Sequence, residues 1–393
     1  MHNNPVIVDI VRSPMGRGKA GGSLCQVHPV DLLSQTIQRL LARNPALDPG
    51  RVEDVIVGCV SQAGEQGFPP GRSAWLAAGL PQHVPSTTVD RRCGSSQQAL
   101  HFAAQAISSG QCQIVLAGGI ESMSRVPMGS ARMGQDVFGA GYRARYPLEF
   151  GQGVAAELVA ARWGITREQM DTYAAQSHWR AEAARIDGRL AREIVAINTP
   201  QGDVVEDETI RANTTLEALS SLKEAFSDSR ISAEYPQINW SVTAGNSSQI
   251  TDGASVALIM SEALASQIGL EPRARFVALD VIADDPVMML TAPITATQRV
   301  LKKAKLSSGD IDHFEVNEAF ASVPLAWLHE MKVDPTRLNP RGGAIALGHP
   351  LGASGARLMG SLINGLEETG GRYGLQTMCE AGGQANATII ERL

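Results

Sequence analysis

The chain has 393 residues, of which 44% are hydrophobic and 19% charged, and its net charge is −6. The length is sufficient for two or three domains, and the composition is that of a globular protein and excludes a disordered chain. The acidic balance excludes an extended basic surface for nucleic acid. The N-terminus carries no signal-peptide pattern and no apolar run is long enough to span a bilayer, so we expect a cytoplasmic protein without membrane contact.

The five cysteines are widely spaced and contain no CxxC pair: Cys25, Cys59, Cys93, Cys112 and Cys379. An odd number with this spacing is typical of neither a disulfide framework nor a zinc ribbon. We therefore expect a reducing compartment and no metal site.

Strand-like and helix-like segments alternate from "PVIVDI" to "QIVLAGG" and again from "ARFVALDVIA" to "NATIIERL". This alternation predicts a largely parallel sheet covered by helices. The second series repeats the first: "IDHFEVN" corresponds to "VEDVIVGCV", and "GHPLGASGARLMGSLI" to "CGSSQQALHFAAQAI". A repeat of this length predicts two equivalent halves packed together.

The middle of the chain has a different character, with many glycines and arginines followed by helical and polar segments. We predict an N-terminal half at residues 1–121, completed by about residues 244–270. An inserted loop domain follows at 122–243, and the C-terminal half occupies 271–393. Such insertions often carry binding surface on a rigid scaffold, although a purely structural flap fits the composition nearly as well.

Cys93 stands where the strand-like "STTVD" gives way to the helix-like "GSSQQALHFAAQAISSG". A cysteine there is either a small buried hydrophobe or a nucleophile. Unpaired N–H groups and the helix dipole at a helix N-terminus favour the thiolate, which is the nucleophilic form. The neighbouring Arg91 and Arg92 are more typical of solvated or otherwise paired residues than of groups that lower the pKa of the thiol. This stretch alone leaves both interpretations open.

Three further stretches are dense in chemically capable side chains. "EVNEAFASV" places Asn317 and Glu318 at a strand end, and "GGAIALGHPLGASGAR" places His349 between a strand and a helix. "TMCEAGG" places Cys379 on a strand that runs into Ala381 and two glycines. Each is more often structural when taken alone. Because ligands of α/β sheets gather beyond the carboxyl ends of strands, together they predict one site.

These motifs, in this order along the whole chain, resemble those of the thiolases, the family of acetyl-CoA acetyltransferases and 3-ketoacyl-CoA thiolases. "CGSSQQA" is similar to the family's nucleophile loop, "NEAFA" and "GHPLGASGAR" to its Asn and His loops, and "TMCEAGG" to its second cysteine. "VTAGNSSQITDGAS" is similar to its pantetheine-binding segment. The resemblance implies a five-layered αβαβα fold of two similar halves with an inserted loop domain. The details are most similar to actinobacterial degradative thiolases.

The resemblance also implies a role for each residue of the site. Cys93 takes the acyl group as a thioester, and His349 activates it. Cys379 is the acid/base at the α-carbon of acetyl-CoA. Asn317 holds a water that stabilises the enolate oxygen together with His349, and the N–H groups of Cys93 and Ala381 form a second oxyanion hole.

The remaining implied contacts concern the substrate. Ser248 contacts the pantetheine arm, and Leu290 replaces a glycine that borders the acyl pocket in the family. Gln152 stands where many short-chain members have His or Met. Ala381 also replaces a glycine, which leaves the oxyanion hole intact if its φ is negative. These departures put the acyl group in question and leave the reaction class unchanged.

The resemblance therefore implies CoA-dependent thiolytic cleavage of a 3-ketoacyl-CoA, on bulky or sterol-derived acyl groups. Coenzyme A is then a substrate and no resident cofactor is needed. The resemblance also implies a homodimer or homotetramer. Two alternatives remain: Claisen condensation to acetoacetyl-CoA, and a non-catalytic acyl-CoA or lipid carrier. A carrier has no need of both cysteines together with Asn317 and His349.

Overall fold

The computed structural model describes residues 3–148 and 151–393. The strands are β1 (Pro5–Arg12), β2 (Gly16–Arg17), β3 (Asp54–Gly58), β4 (Ser86–Val89), β5 (Ile114–Ser122), β6 (Ile197–Thr199), β7 (Gly202–Val204), β8 (Thr251–Ser261), β9 (Ala274–Ala283), β10 (His313–Val316), β11 (Tyr373–Glu380) and β12 (Gln384–Arg392). The helices are α1 (Pro29–Arg43), α2 (Pro70–Ala77), α3 (Ser95–Ser108), α4 (Gly139–Arg145), α5 (Gln152–Trp163), α6 (Arg167–Ile186), α7 (Leu216–Ser220), α8 (Ser229–Glu234), α9 (Glu262–Gln267), α10 (Ala292–Ala304), α11 (Ser322–Met331), α12 (Ala344–Leu347) and α13 (Ser354–Thr369).

The main sheet has the strand order β10-β11-β12-β9-β1-β8-β5-β3-β4, and β2 pairs with β8. Only β3–β4, β3–β5 and β10–β11 are parallel among the pairs of the described chain. The prediction of a largely parallel sheet is therefore wrong. The reason is that β8 and β12 each return antiparallel beside β5 and β11. The turn between β11 and β12 is so short that only antiparallel neighbours can be joined by it.

The predicted repeat is confirmed by the topology. Strands β1, β8, β5 and β3 are related to one another as β9, β12, β11 and β10 are. The two sets meet at a short antiparallel pairing of β1 with β9. Helices α3 and α13 pack together between the halves, α1 and α2 cover the first outer face, and α10 and α11 the second. These five layers confirm the predicted αβαβα fold.

The glycines at the start of α13 allow the two halves to approach closely. A Cβ on Gly352 would lie 2.5 Å from the carbonyl oxygen of Ile120, and one on Gly355 would lie 2.2 Å from the backbone nitrogen of Gln97. No side chain fits at either position. Backbone packing against β5 and α3 therefore explains these two glycines of "HPLGASGAR" without a ligand.

The segment between β5 and β8 contains α4 to α8 and the hairpin β6–β7. It lies against the second half through contacts of α5 with α11 and of α6 with α12. The domain limits given above stay a prediction. Within residues 3–148 and 151–393, no helix is both long and apolar enough to cross a membrane.

The stretch "GGAIALG", expected as a strand before His349, forms the short helix α12 instead. The carboxylate of Glu318 accepts a hydrogen bond from the N–H of Ile345 at 3.1 Å, which stabilises the first turn of the helix. Glu318 also accepts from Tyr173, Ser177 and Asn339. Glu318 is thus fully engaged in holding the loop that leads to His349.

Candidate active site

Cys93 lies in the turn between β4 and α3, as the sequence predicts. Arg92 has a left-handed backbone with φ of 49°, and the carboxylate of Asp90 accepts its N–H at 2.8 Å. Arg91 donates to the side chain of Gln384 at 3.1 Å, so it is paired away from the thiol. The turn delivers Cys93 to the protein interior, where its side chain is 3% exposed.

The surroundings of the Cys93 thiol oppose ionisation. Burial raises the pKa of Cys93 to about 12, although the side chain of Gln152 donates to the sulfur at 3.8 Å and lowers the pKa. A charge on Glu380 raises the pKa further. The prediction that this position favours the thiolate is wrong for the resting site, because desolvation outweighs the helix N-terminus. The thiol needs a base to take its proton.

His349 is held as a neutral imidazole with a defined proton. Its Nδ1 lies 2.6 Å from the hydroxyl oxygen of Ser354, which itself donates to the carbonyl of Pro350. The hydroxyl oxygen therefore accepts the Nδ1–H, and Nε2 is the bare nitrogen. Burial, followed by the positive charge of Arg357, lowers the pKa of His349 to about 3. At neutral pH the imidazole is free to act as a base.

Asn317 connects the His349 loop to β11. Its side-chain N–H₂ group lies 3.3 Å from Nε2 of His349, and its backbone N–H donates to Thr377 at 3.1 Å. The side-chain oxygen of Asn317 is buried and has no hydrogen-bond partner among the described residues. Buried acceptors of this kind are normally paired, so this oxygen can accept from a water or a ligand.

The segment with Ser248 lies against the same loops. The N–H of Ser248 donates to the carbonyl of Ala319 at 2.9 Å. The N–H of His349 donates to the carbonyl of Gln249 and to the hydroxyl of Thr251. The structure thus places half-buried Ser248 beside the Asn317 and His349 loops.

Cys379 lies near the end of β11 and is fully buried. Burial, then charges on Cys93 and Glu380, raise the pKa of Cys379 well above its ordinary value. The effect of a Cys93 charge on the pKa of Cys379 places the two thiols within interaction distance. Leu290 is buried in the same apolar cluster as Cys379.

The turn after Cys379 settles the question raised by Ala381. Gly382 and Gly383 have positive φ values of 88° and 76°, whereas Ala381 is not among the residues with positive φ. Alanine therefore fits without strain. Within the described chain, neither the N–H of Ala381 nor that of Cys93 donates to another residue.

Two residues of the site were not assigned a role from the sequence. Gln152 was noticed only as a departure from a family pattern, and its contact with Cys93 depends on how the inserted segment folds back. Glu380 is fully buried and neither carboxyl oxygen has a partner within the described chain. A Cβ on Gly94 would lie 1.8 Å from a Glu380 oxygen, so Gly94 is required there. The signal for Glu380 was its charge inside an otherwise uncharged strand.

The comparisons with known proteins agree with this fold. Residues 5–263 match the family model described as thiolase, N-terminal domain, and residues 270–392 match thiolase, C-terminal domain. The chain therefore belongs to the thiolase family and is an acyltransferase.

Individual relatives are similar over nearly the whole chain. The steroid 3-ketoacyl-CoA thiolase FadA6 of Mycobacterium tuberculosis is 46% identical over 98% of this chain and 94% of the relative. A 3-ketoacyl-CoA thiolase of Pseudoalteromonas translucida is 45% identical over 100% and 99%. The crystal structure of an acetyl-CoA acetyltransferase of Bacillus anthracis superimposes with a TM-score of 0.88 at 36% identity, covering 100% of this chain and 99% of the other.

Proposed function

We propose that the protein is a degradative thiolase, which uses coenzyme A to cleave a 3-ketoacyl-CoA into acetyl-CoA and a shortened acyl-CoA. Two observations support the proposal: a pair of buried thiols that interact, and an imidazole whose bare Nε2 can accept a proton. Leu351, two residues after His349, belongs to the same apolar cluster as Cys93. The names of the two relatives at 45% and 46% identity support the degradative direction and do not favour condensation or a carrier.

In the first half-reaction, Cys93 Sγ attacks the 3-keto carbon and its proton passes to Nε2 of His349. The free N–H groups of Cys93 and Ala381 stabilise the oxyanion. The bond between C2 and C3 then breaks, and its electron pair goes to the enolate of acetyl-CoA. Asn317 and His349 stabilise the enolate oxygen. Cys379 protonates C2, which suits a thiol whose raised pKa keeps its proton.

In the second half-reaction, the thiol of coenzyme A gives its proton to the Cys379 thiolate and attacks the acyl thioester on Cys93. The bond between the acyl carbon and Cys93 Sγ breaks, Sγ takes back the proton from Nε2 of His349, and the shortened acyl-CoA leaves. Ser248 contacts the pantetheine arm throughout. Coenzyme A enters as a substrate, and we propose that no resident cofactor takes part.

We further propose that the acyl group is bulky or sterol-derived. Leu290 is buried in the apolar cluster that contains Cys379, where a glycine would leave space open for a different acyl group. The similarity to a steroid thiolase supports the same substrate class. We propose that the protein is cytoplasmic and that its active form is a homodimer or homotetramer. Sedimentation velocity measures the oligomeric state directly.

The test is a panel of 3-ketoacyl-CoAs from acetoacetyl-CoA upward, including a ring-bearing one, with acetyl-CoA release measured for each. We expect kcat/KM to rise by about fourfold per buried methylene, since each contributes about 0.8 kcal/mol, until the pocket is full. Leu290→Gly should change the preference. A flat profile that is insensitive to Leu290 would leave a short-chain thiolase, and no acetyl-CoA from any substrate would refute the proposed function.

A further inference from the structure

The first residue of α5 comes from the inserted segment and contacts the sulfur of Cys93. Gln152 follows Gly151, and its side-chain nitrogen lies 3.8 Å from Cys93 Sγ, with the amide as donor. The sulfur has no other side-chain hydrogen bond within the described residues. The donor is therefore placed on the atom that reacts.

The position of Gln152 is fixed by contacts further along α5. The carboxylate of Glu157 accepts from the N–H groups of Ser241 and Val242 at 2.8 and 2.7 Å. The hydroxyl of Ser322 donates to the carbonyl of Ala156 at 3.0 Å. These bonds connect α5 both to the end of the inserted segment and to α11. The helix cannot shift without breaking buried hydrogen bonds.

An aromatic contact fixes the first turn itself. The ring of Phe226 covers Gly153 so closely that a Cβ there would lie 2.3 Å from the ring. Phe226 packs edge-on against Phe320 at 5.9 Å between ring centres. Phe320 belongs to the loop that follows Asn317. The segment that carries Gln152 is thus packed against the rest of the active site.

We propose that Gln152 is a further catalytic residue, whose side-chain N–H stabilises negative charge on Cys93 Sγ during both attack and departure. The inference rests on the proposed function, in which Cys93 is the nucleophile. When Cys93 attacks, the proton goes to His349 and the sulfur is anionic. When coenzyme A attacks the acyl-enzyme, the electron pair of the broken bond returns to the same sulfur. In both steps the donor meets a charge that the neutral thiol and the thioester lack.

The need for such a donor follows from the other groups around the sulfur. Glu380 on β11 disfavours the thiolate when charged, and Arg92 on the same turn favours it. Burial is the largest unfavourable contribution. Gln152 contributes a favourable hydrogen bond from its side chain, in addition to that of the backbone N–H of Cys93 itself. Methionine at this position would fill the space without donating.

The test compares the rate of Cys93 alkylation by iodoacetamide in Gln152→Met and the unaltered enzyme from pH 7 to 10, followed by peptide mass spectrometry. A higher pKa makes the thiolate more nucleophilic but lowers the fraction of thiolate, and the first effect offsets only about half of the second on a logarithmic scale. At a pH below the pKa, each unit of increase in the pKa therefore lowers the alkylation rate about threefold. We expect at least that loss and a profile moved to higher pH. Gln152→Glu, which replaces the donor by a carboxylate, should lose more than tenfold at neutral pH.

Gln38→Met is the matched control, since Gln38 lies on α1 and donates to the carbonyl of Ala78. It should leave the alkylation rate unchanged. If alkylation of Cys93 inactivates the enzyme but neither Gln152 variant changes the rate or its pH profile, the role of Gln152 is refuted while the proposed function stands. If alkylation of Cys93 does not inactivate the unaltered enzyme, the proposed function fails first.

Discussion

The two halves of the fold have equivalent connections that lead into α3 and α13, and we call these the first and the second corner. The first corner carries Cys93, the second carries His349, and the two differ in length. In the first half, β4 pairs parallel to β3 and leads through a tight turn to Cys93 and α3. In the second half, the corresponding strand is reduced to a single parallel bridge between Leu338 and Phe314. The chain then forms α12 and a 3-10 turn at Leu351–Ala353 before α13 begins.

The difference explains how one duplicated scaffold supplies both a nucleophile and a base. The short turn fixes Cys93 by backbone geometry and leaves its N–H free. The sulfur can therefore attack the acyl carbon and later leave it from one fixed position. The longer loop carries His349, whose orientation is fixed by side-chain hydrogen bonds to Ser354 and Asn317. The two connections, which differ in length and in the strand that precedes them, therefore place two different functional groups.

The largest expected effect comes from separating the two thiols. Cys93→Ser should lose acyl-enzyme formation by on the order of 10³-fold or more, because the nucleophile is removed. Cys379→Ser should still take an acyl label from an acyl-CoA donor but lose most exchange of the acetyl-CoA α-proton. Trapping of labelled acyl-enzyme and deuterium uptake measure the two steps independently. The opposite pattern would exchange the two roles.

A tenfold to hundredfold effect should distinguish the two serines that begin the equivalent helices. Ser354→Ala leaves Nδ1–H of His349 without its acceptor, so the imidazole loses its fixed orientation and kcat should fall by about that factor. The matched control is Ser95→Ala at the start of α3, where the hydroxyl donates to the carbonyl of Arg92 and accepts from the N–H of Arg91. It should cost about 1 kcal/mol of stability and leave the pH profile of kcat/KM unchanged.

Restoring the acceptor should restore the activity. Ser354→Thr keeps the hydroxyl and should recover most of kcat, with the alkaline and acid limits of kcat/KM at their original positions. Equal losses of kcat in Ser354→Ala and Ser95→Ala would show that both serines only stabilise their helices, and the comparison of the two corners would lose its meaning.

Much of the fold could be predicted from the sequence because the two halves share a hydrophobic pattern and contain long motifs. The strand around Cys379 and the helix after Cys93 follow from local preferences. The sheet directions did not, since the return of β8 beside β5 depends on where the long inserted segment ends. Helix α12 also escaped prediction, because it depends on the distant carboxylate of Glu318.

The same division holds for the site. Cys93, His349, Asn317 and Cys379 are predicted from the sequence because they stand in recognisable motifs. Gln152 approaches Cys93 only through the packing of α5, which no local pattern encodes. The high pKa of the Cys93 thiol was also missed, because desolvation depends on every element that covers the sulfur.

The smallest expected effect concerns Glu380, the buried carboxyl beside the first corner, which lacks the hydrogen bonds that buried Glu121 accepts beside the second corner. Burial raises the pKa of Glu380 well above its ordinary value, so the folded protein binds this proton more tightly than the unfolded chain does. Its contribution to stability is fully present below the unfolded pKa of about 4.3 and is lost as pH rises toward the folded pKa. Glu380→Gln removes the titration while its amide can donate to the unpartnered oxygen of Asn386.

We therefore expect Glu380→Gln to raise the melting temperature by a few degrees at pH 8 and by less at pH 5, measured by calorimetry in both buffers. Glu391→Gln is the control at the far end of β12, where the carboxylate accepts from Arg372 at 2.9 Å. Because that change removes an ion pair, it should give no gain that grows with pH. A Glu380→Gln protein less stable at pH 8 than at pH 5, relative to the unaltered chain, would mean that the carboxyl is ionised beside Cys93.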